Sequence, residues 1–162
     1  MRELTRFIAA QDAPHDGLEA ALAELGSGRK QGHWVWYVFP QLAGLGQSVT
    51  ARRFAIGGRE EAMAYLAHEA LRSRLLQGIE VVRRQLAPPT ARPLEALMGS
   101  RLDALKLVSS LTLFEAVAAD LATTSGATEM ARVASAAGDV LALAADQGLP
   151  RCAFTLAHLH AP

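Results

Sequence analysis

Two fixed cations, a titratable imidazole and both tryptophans of the chain fall within eight positions in the run Arg29-Lys30-Gln31-Gly32-His33-Trp34-Val35-Trp36. Guanidinium and ammonium groups suit phosphate or carboxylate, indole faces suit stacking or cation–π contact, and an imidazole exchanges a proton near neutral pH. This chemistry points to a pocket for an anionic, nucleotide-like small molecule. In it Arg29 and Lys30 contact charge, Trp34 or Trp36 stacks, and Gln41 hydrogen-bonds. The competing account makes Trp34, Trp36, Tyr37 and Phe39 core residues and leaves Arg29 and Lys30 at a solvated helix end, since buried aromatics are usually packing.

A second signal lies further along. Leu102, Leu105, Leu107, Val108, Leu111, Leu113 and Phe114 are distributed nearly all the way round a helical axis, which marks a central, buried helix. Asp103, Lys106 and Ser110 nevertheless share one face at i, i+3 and i+7, with Ser109 at its margin. Polar groups in so apolar a setting need partners. Asp103 and Lys106 satisfy each other as a helical ion pair, or the stripe faces Arg29 to Trp36 across a cleft. In the second case Ser109 and Ser110 add ligand contacts, and His33, Asp103 and Lys106 are the acid–base candidates of an enzyme.

Other constellations carry less. His158-Leu159-His160 places two histidines at i and i+2, in different directions on a helix, and no His-Glu-x-x-His pattern accompanies them, so no metal is expected. Ser109-Ser110 lacks a nucleophile-elbow glycine pattern, and Cys152 has only Arg151 as a positive neighbour. Gly44-x-Gly46 follows no strand and is too short for a dinucleotide loop, and no cofactor is expected.

The elements that must position these residues read as helices throughout. Leu4, Phe7, Ile8 and Gln11 repeat at helical spacing. Asp16 with Glu19 predicts a capping box before Leu18, Leu22 and Leu25, and Gly26-Ser27-Gly28 predicts the stop. His33 to Phe39 reads as a short buried helix ended by Pro40, and Leu42 to Gln47 as a loop whose glycines permit close approach. Ser48 is an N-cap for a helix to about Ile56. Helical patterns follow at Glu60 to His68 and Leu71 to Leu86, then the Ala87-Pro88-Pro89-Thr90 linker. Pro93 opens a short helix to Met98, Ser100 with Asp103 starts a long one to about Ala122, and Glu129 to Gln147 and Arg151 to His160 complete the chain. The expectation is an all-α, irregular orthogonal bundle of about six to eight helices with negligible sheet.

A length of 162 residues with 51% hydrophobic content suits one core, so a single domain over 1–162 is expected. Sixteen basic residues balance sixteen acidic ones, which argues against nucleic acid as a partner. One cysteine excludes an intramolecular disulfide, the charged start Met1-Arg2-Glu3 does not resemble a signal peptide, and no window has the apolar length of a membrane span. A cytoplasmic protein with no membrane partner is the expectation. The alternative function is a protein-binding or self-associating module that uses the aromatic 33–47 segment as an apolar patch.

The spacing Gly28-x-Lys30-x-x-His33-Trp34-x-Trp36, continued by Phe39-Pro40-Gln41-Leu42-x-Gly44-Leu45-Gly46-x-Ser48, resembles that of domain-of-unknown-function family 1810. Tyr65-Leu66-x-His68 with Leu71 and Arg74-Leu75 resembles the family's middle motif. Asp103-x-x-Lys106-x-x-Ser109-Ser110-x-Thr112-Leu113-Phe114 resembles its third, and Arg6-Phe7 and Ala10-Gln11 extend the likeness almost to the start. The resemblance implies an all-helical single domain and no established activity. Arrangements that join such chains to ADP-ribose-binding macrodomains imply a link to nucleotide or ADP-ribose metabolism. The calpastatin label some members carry does not fit, because calpastatins are disordered, charged repeats and this chain is hydrophobic and non-repetitive. One departure stands out: Arg151 occupies about the place where the family's C-terminal motif has an aspartate.

Overall fold

The computed structural model describes residues 3–159. Within them ten helices follow one another: α1 Thr5–Gln11, α2 Leu18–Gly26, α3 Val35–Val38, α4 Val49–Phe54, α5 Arg59–Ala67, α6 Glu69–Leu86, α7 Leu94–Met98, α8 Arg101–Ser125, α9 Thr128–Asp146 and α10 Ala153–Leu159. Seven have seven residues or more, in keeping with the expected bundle of six to eight, while α3, α4 and α7 are one to two turns long. The fold is all-α, and the one bridge among the described residues joins Leu42 to Ile56.

The helix with apolar residues all round its axis is the centre of the molecule. Every residue of α8 from Leu107 to Phe114 is buried, which spans more than two turns and needs neighbours on all sides. Those neighbours are α9 along its length and α3, α5, α7 and α10 around it. Ser100 caps α8 by accepting the Asp103 amide at 3.1 Å, and Ser48 caps α4 by accepting that of Ala51 at 3.0 Å. Both caps agree with the sequence. The capping box expected at α2 does not form: Gly17 is the N-cap and no side chain caps the helix. The chain folds back so tightly there that a Cβ on residue 17 would lie 2.2 Å from the Ala13 carbonyl oxygen.

Aromatic residues from five helices seal one end of the core. The Tyr65 ring stands edge-on to Phe7 at 5.2 Å and 5.0 Å from Phe114, and Tyr37 lies 5.1 Å from Phe54. Buried Gln11 donates to the Tyr37 carbonyl at 2.8 Å, and Arg6 donates to the carbonyls of Arg53 and Ala55 while pairing with buried Glu61. The Arg6-Phe7 and Gln11 positions are therefore structural. They hold α1 against the end of α4.

The start of the loop between α3 and α4 is latched to the segment after α4, since the Ile56 amide donates to the Gln41 carbonyl at 2.9 Å and the Ala43 amide to that of Ile56 at 2.8 Å. Gly44 takes φ +103° in the middle of the loop, and the Phe154 ring of α10 comes within 2.8 Å of where its Cβ would stand. Strain and steric conflict act together at this residue. Gly44→Ala is expected to lower stability by about 1–2 kcal/mol, read as a drop in the urea midpoint at unchanged slope.

Candidate functional site

Gly28 turns the chain out of α2, and the next two residues diverge: Arg29 points to solvent while Lys30 enters the protein. The Lys30 amide donates to the Leu97 carbonyl at 2.7 Å, which ties this segment to α7. Its ammonium donates to the Gly32 carbonyl, lies 5.3 Å from the Trp34 ring centre and reaches Oδ2 of Asp103 at 2.8 Å. The other carboxylate oxygen of Asp103 receives Lys106 at 3.2 Å, and the Lys106 ammonium stands 4.6 Å over the Trp36 ring. The stripe meets the basic segment by direct contact rather than across a cleft. Asp103 and Lys106 form an ion pair along α8, and the same carboxylate bridges to the basic segment.

Burial is the largest influence on the Asp103 carboxyl and opposes its ionisation, but the hydrogen bonds and charges of Lys30 and Lys106 outweigh it. The group is held below the ordinary carboxylate range. Two ammoniums share the Asp103 carboxylate, and the charge of Lys30 also acts on the nearby Glu24 carboxylate. Lys30 is enclosed, and Lys106 is the member that reaches a cavity wall.

That cavity, about 440 Å³, lies between α3, the 42–47 loop and α8, and its walls include Trp36, Gln41, Leu45, Leu105, Lys106 and Ser109. The volume falls within the range of small-molecule sites, and the lining is mainly apolar with a few polar groups. Gln41 is buried and its side-chain amide makes no hydrogen bond with the described residues, its backbone carbonyl being the part taken by Ile56. Ser109 donates to the Leu105 carbonyl at 2.8 Å, which leaves its oxygen as an acceptor. Gly46 forms the floor beside Ala51, where a Cβ would come within 2.5 Å of the alanine methyl. The loop glycine is required for the cavity's shape.

Three of the expected contact residues, Trp36, Gln41 and Ser109, stand on these walls with Lys106, one of the acid–base candidates, and Lys30 and Asp103 lie directly behind Lys106. The others stand elsewhere. Trp34 is fully buried, Ser110 is fully buried with its hydroxyl unpartnered among the described residues, and His33 and Arg29 are exposed and outside this cavity. Ser109 rather than Ser110 faces the wall because one residue turns a helix by about 100°.

Glu24 was not singled out by the sequence, yet it organises the segment. Its Oε1 accepts the amides of Gln31 at 2.6 Å and Gly32 at 2.7 Å and the Trp34 indole N–H at 3.0 Å. Burial raises the tendency of this carboxyl to stay protonated, and the Gly32 and Gln31 amides, Trp34 and Lys30 together overcome it and lower its pKa. His68 likewise has a local role, its Nδ1 accepting the Leu71 amide at 3.4 Å at the start of α6. Arg151 forms a two-pronged pair with Glu115, both bonds 2.8 Å, which anchors the approach to α10 on α8. Of the C-terminal histidine pair, His158 stacks on Phe154 and His160 lies outside the described residues. No group of three His, Cys, Asp or Glu side chains suited to a metal occurs among the described residues, and none of their helices is long and apolar enough to cross a membrane.

Fold and site define an all-helical protein with a small, mainly apolar cavity bordered by a shared carboxylate–ammonium cluster. The chain belongs to the protein family of unknown function DUF1810, whose model matches residues 1–134. All the cavity walls named above fall within the matched region, whereas Arg151 and α10 lie beyond it. The chain is also similar to the conserved hypothetical protein Rv1873 from Mycobacterium tuberculosis, whose crystal structure aligns with a TM-score of 0.73 at 37% identity, covering 98% of this chain and 97% of that one. No curated protein matches it.

Proposed function

We propose that the chain binds a small organic anion in the cavity between α3, the 42–47 loop and α8, the planar or apolar part of the ligand resting against Trp36 and Leu105 and its charge against Lys106. The observation that carries this reading is the incomplete neutralisation of Lys106. Its carboxylate partner among the described residues, Asp103, is also held at 2.8 Å by Lys30, so Lys106 has charge to offer an incoming phosphate or carboxylate. The Gln41 amide, without a partner among the described residues, supplies a directional hydrogen bond within mainly apolar walls. Nucleotides and ADP-ribose derivatives combine a planar ring with such a charge and are the ligand class this reading favours.

Binding, rather than proton transfer by His33, is what this arrangement supports. Asp103 is kept ionised by two ammoniums, which makes it a poor acid near neutral pH. A thermal-shift series with AMP, ADP-ribose and 1-naphthoate tests the reading. At least one is expected to raise the melting temperature in a saturable way, and Lys106→Met, which preserves the stem over Trp36, is expected to weaken it about tenfold or more. No shift with any of them contradicts the proposal.

A second reading has one observation in its favour. Leu102 and Leu105 on the cavity rim are 64% and 40% exposed, more than leucines of a bundle helix ordinarily are. In that reading the rim receives an apolar segment of another protein. Leu102→Glu then abolishes the association, while leaving AMP or ADP-ribose binding deeper in the cavity unchanged.

A further inference from the structure

A separate cavity of about 500 Å³ lies between the end of α2 and α7 and shares no wall residue with the one above; Ser27, Gly28, Arg29, Arg92, Glu95 and Gly99 line it. Arg92 is fixed there by several contacts. Its Nε donates to Oε1 of Gln85 at 3.0 Å, and the Gln85 amide nitrogen is itself anchored on the Gly26 carbonyl at 3.1 Å. Its backbone amide donates to the Gln85 carbonyl at 2.9 Å, and its carbonyl accepts from Gln147 at 3.3 Å. The guanidinium lies against residue 28, where a Cβ would come within 2.6 Å of both Cζ and Nη2. Only glycine leaves that space, and the backbone at φ +93° favours it too.

The terminal nitrogens of Arg92 and the whole guanidinium of Arg29 make no hydrogen bond or ion pair with the described residues. Glu95, the acid on the same wall, is taken by Arg101 at 2.6 Å. Two unneutralised guanidiniums thus border one cavity in a chain whose formal net charge is zero. We infer that this cavity is a phosphate site, in which Arg92 and Arg29 grip the oxygens of inorganic phosphate or of a small phosphomonoester and the Ser27 hydroxyl adds a donor. A dianion with several oxygens uses both forks, whereas a monocarboxylate uses one. The balanced charge of the whole chain favours a small phosphate over a nucleic-acid backbone.

The test follows the arginine side-chain Nε–H resonances by ¹⁵N-resolved NMR while inorganic phosphate, and in a second titration glycerol 3-phosphate, is added at constant ionic strength. The Arg92 and Arg29 signals are expected to move together and saturate. Arg29→Gln, at an exposed residue whose side chain makes no hydrogen bond or ion pair with the described residues, is expected to weaken phosphate binding roughly tenfold. Gly28→Ala, which displaces the Arg92 guanidinium, is expected to weaken it at least as much. Arg132→Gln, which removes an exposed charge elsewhere, is expected to leave the affinity unchanged. Saturation by both ligands marks a site open to esters and saturation by inorganic phosphate alone marks one closed round the free anion; either sustains the inference. Linear, unsaturating shifts, or equal losses in Arg29→Gln and Arg132→Gln, overturn it. Because the cavity beside Lys106 takes no part, this result is independent of the function proposed for that cavity.

Discussion

Asp103→Ala is expected to lower the unfolding free energy by about 3–5 kcal/mol, the largest loss for any single charged residue near the cavity. The substitution removes the carboxylate that Lys30 contacts directly and leaves its buried ammonium, packed against Trp34 and the Gly32 carbonyl, with only the longer-range charge of Glu24. The cost comes from the charge left unpaired more than from the bond removed. The double variant Lys30→Met with Asp103→Leu is therefore expected to recover most of the loss, and a double-mutant cycle in urea measures the coupling. A pH dependence follows from the same pair. The Asp103 carboxyl is depressed in the folded state, so its contribution is fully present above the unfolded value of about 3.9 and is lost as pH falls through the lower folded value. Wild type is expected to lose more stability between pH 5 and pH 2 than the double variant does, as measured by urea midpoints across that window.

Glu24→Ala is expected to cost about 2–4 kcal/mol, because two backbone amides and the Trp34 indole lose one charged acceptor together. Its effect should reach the site as well. Gly32 is the residue whose carbonyl receives Lys30, so loosening the 31–32 turn also loosens the ammonium that Asp103 shares. The expected signature is a lower guanidinium midpoint together with a red shift of tryptophan emission as water reaches the Trp34 N–H. Glu24→Gln keeps one acceptor oxygen and should fall between the two. An unshifted spectrum and midpoint in Glu24→Ala would mean that the 31–34 turn is held by something else.

The sequence made legible what depends on local rules. Eight consecutive buried positions in α8 followed from apolar residues on all faces, the Ser48 and Ser100 caps from residue type, and the Gly44-Leu45-Gly46 loop from backbone freedom. The meeting of the basic segment with the Asp103–Lys106 stripe was legible too, because an acidic and a basic group on a buried helix need partners. What was not legible depends on where the chain returns in space. Arg29 and Lys30 are adjacent and chemically alike, and only the left-handed turn at Gly28 decides that one faces solvent and the other Asp103. Glu24 carries no motif, since its partners are amides seven and eight residues on that come back to it after that same turn. Of the two serines expected at the ligand, Ser109 lies on the wall and Ser110 is buried away from it, which depends on how α8 is turned among its neighbours. Helical periodicity gives the spacing of a face but not the direction it is turned.

The two tryptophans report separately on the anion proposed for the cavity beside Lys106, Trp34 from the closed interior and Trp36 from the wall. With 5-fluorotryptophan incorporated, ¹⁹F NMR resolves both while AMP, ADP-ribose and 1-naphthoate are titrated in turn. The account predicts that at least one moves the Trp36 resonance to saturation, leaves Trp34 nearly still, and loses that effect in Lys106→Met. A Trp36 resonance that no probe moves, or that moves equally in Lys106→Met, contradicts it.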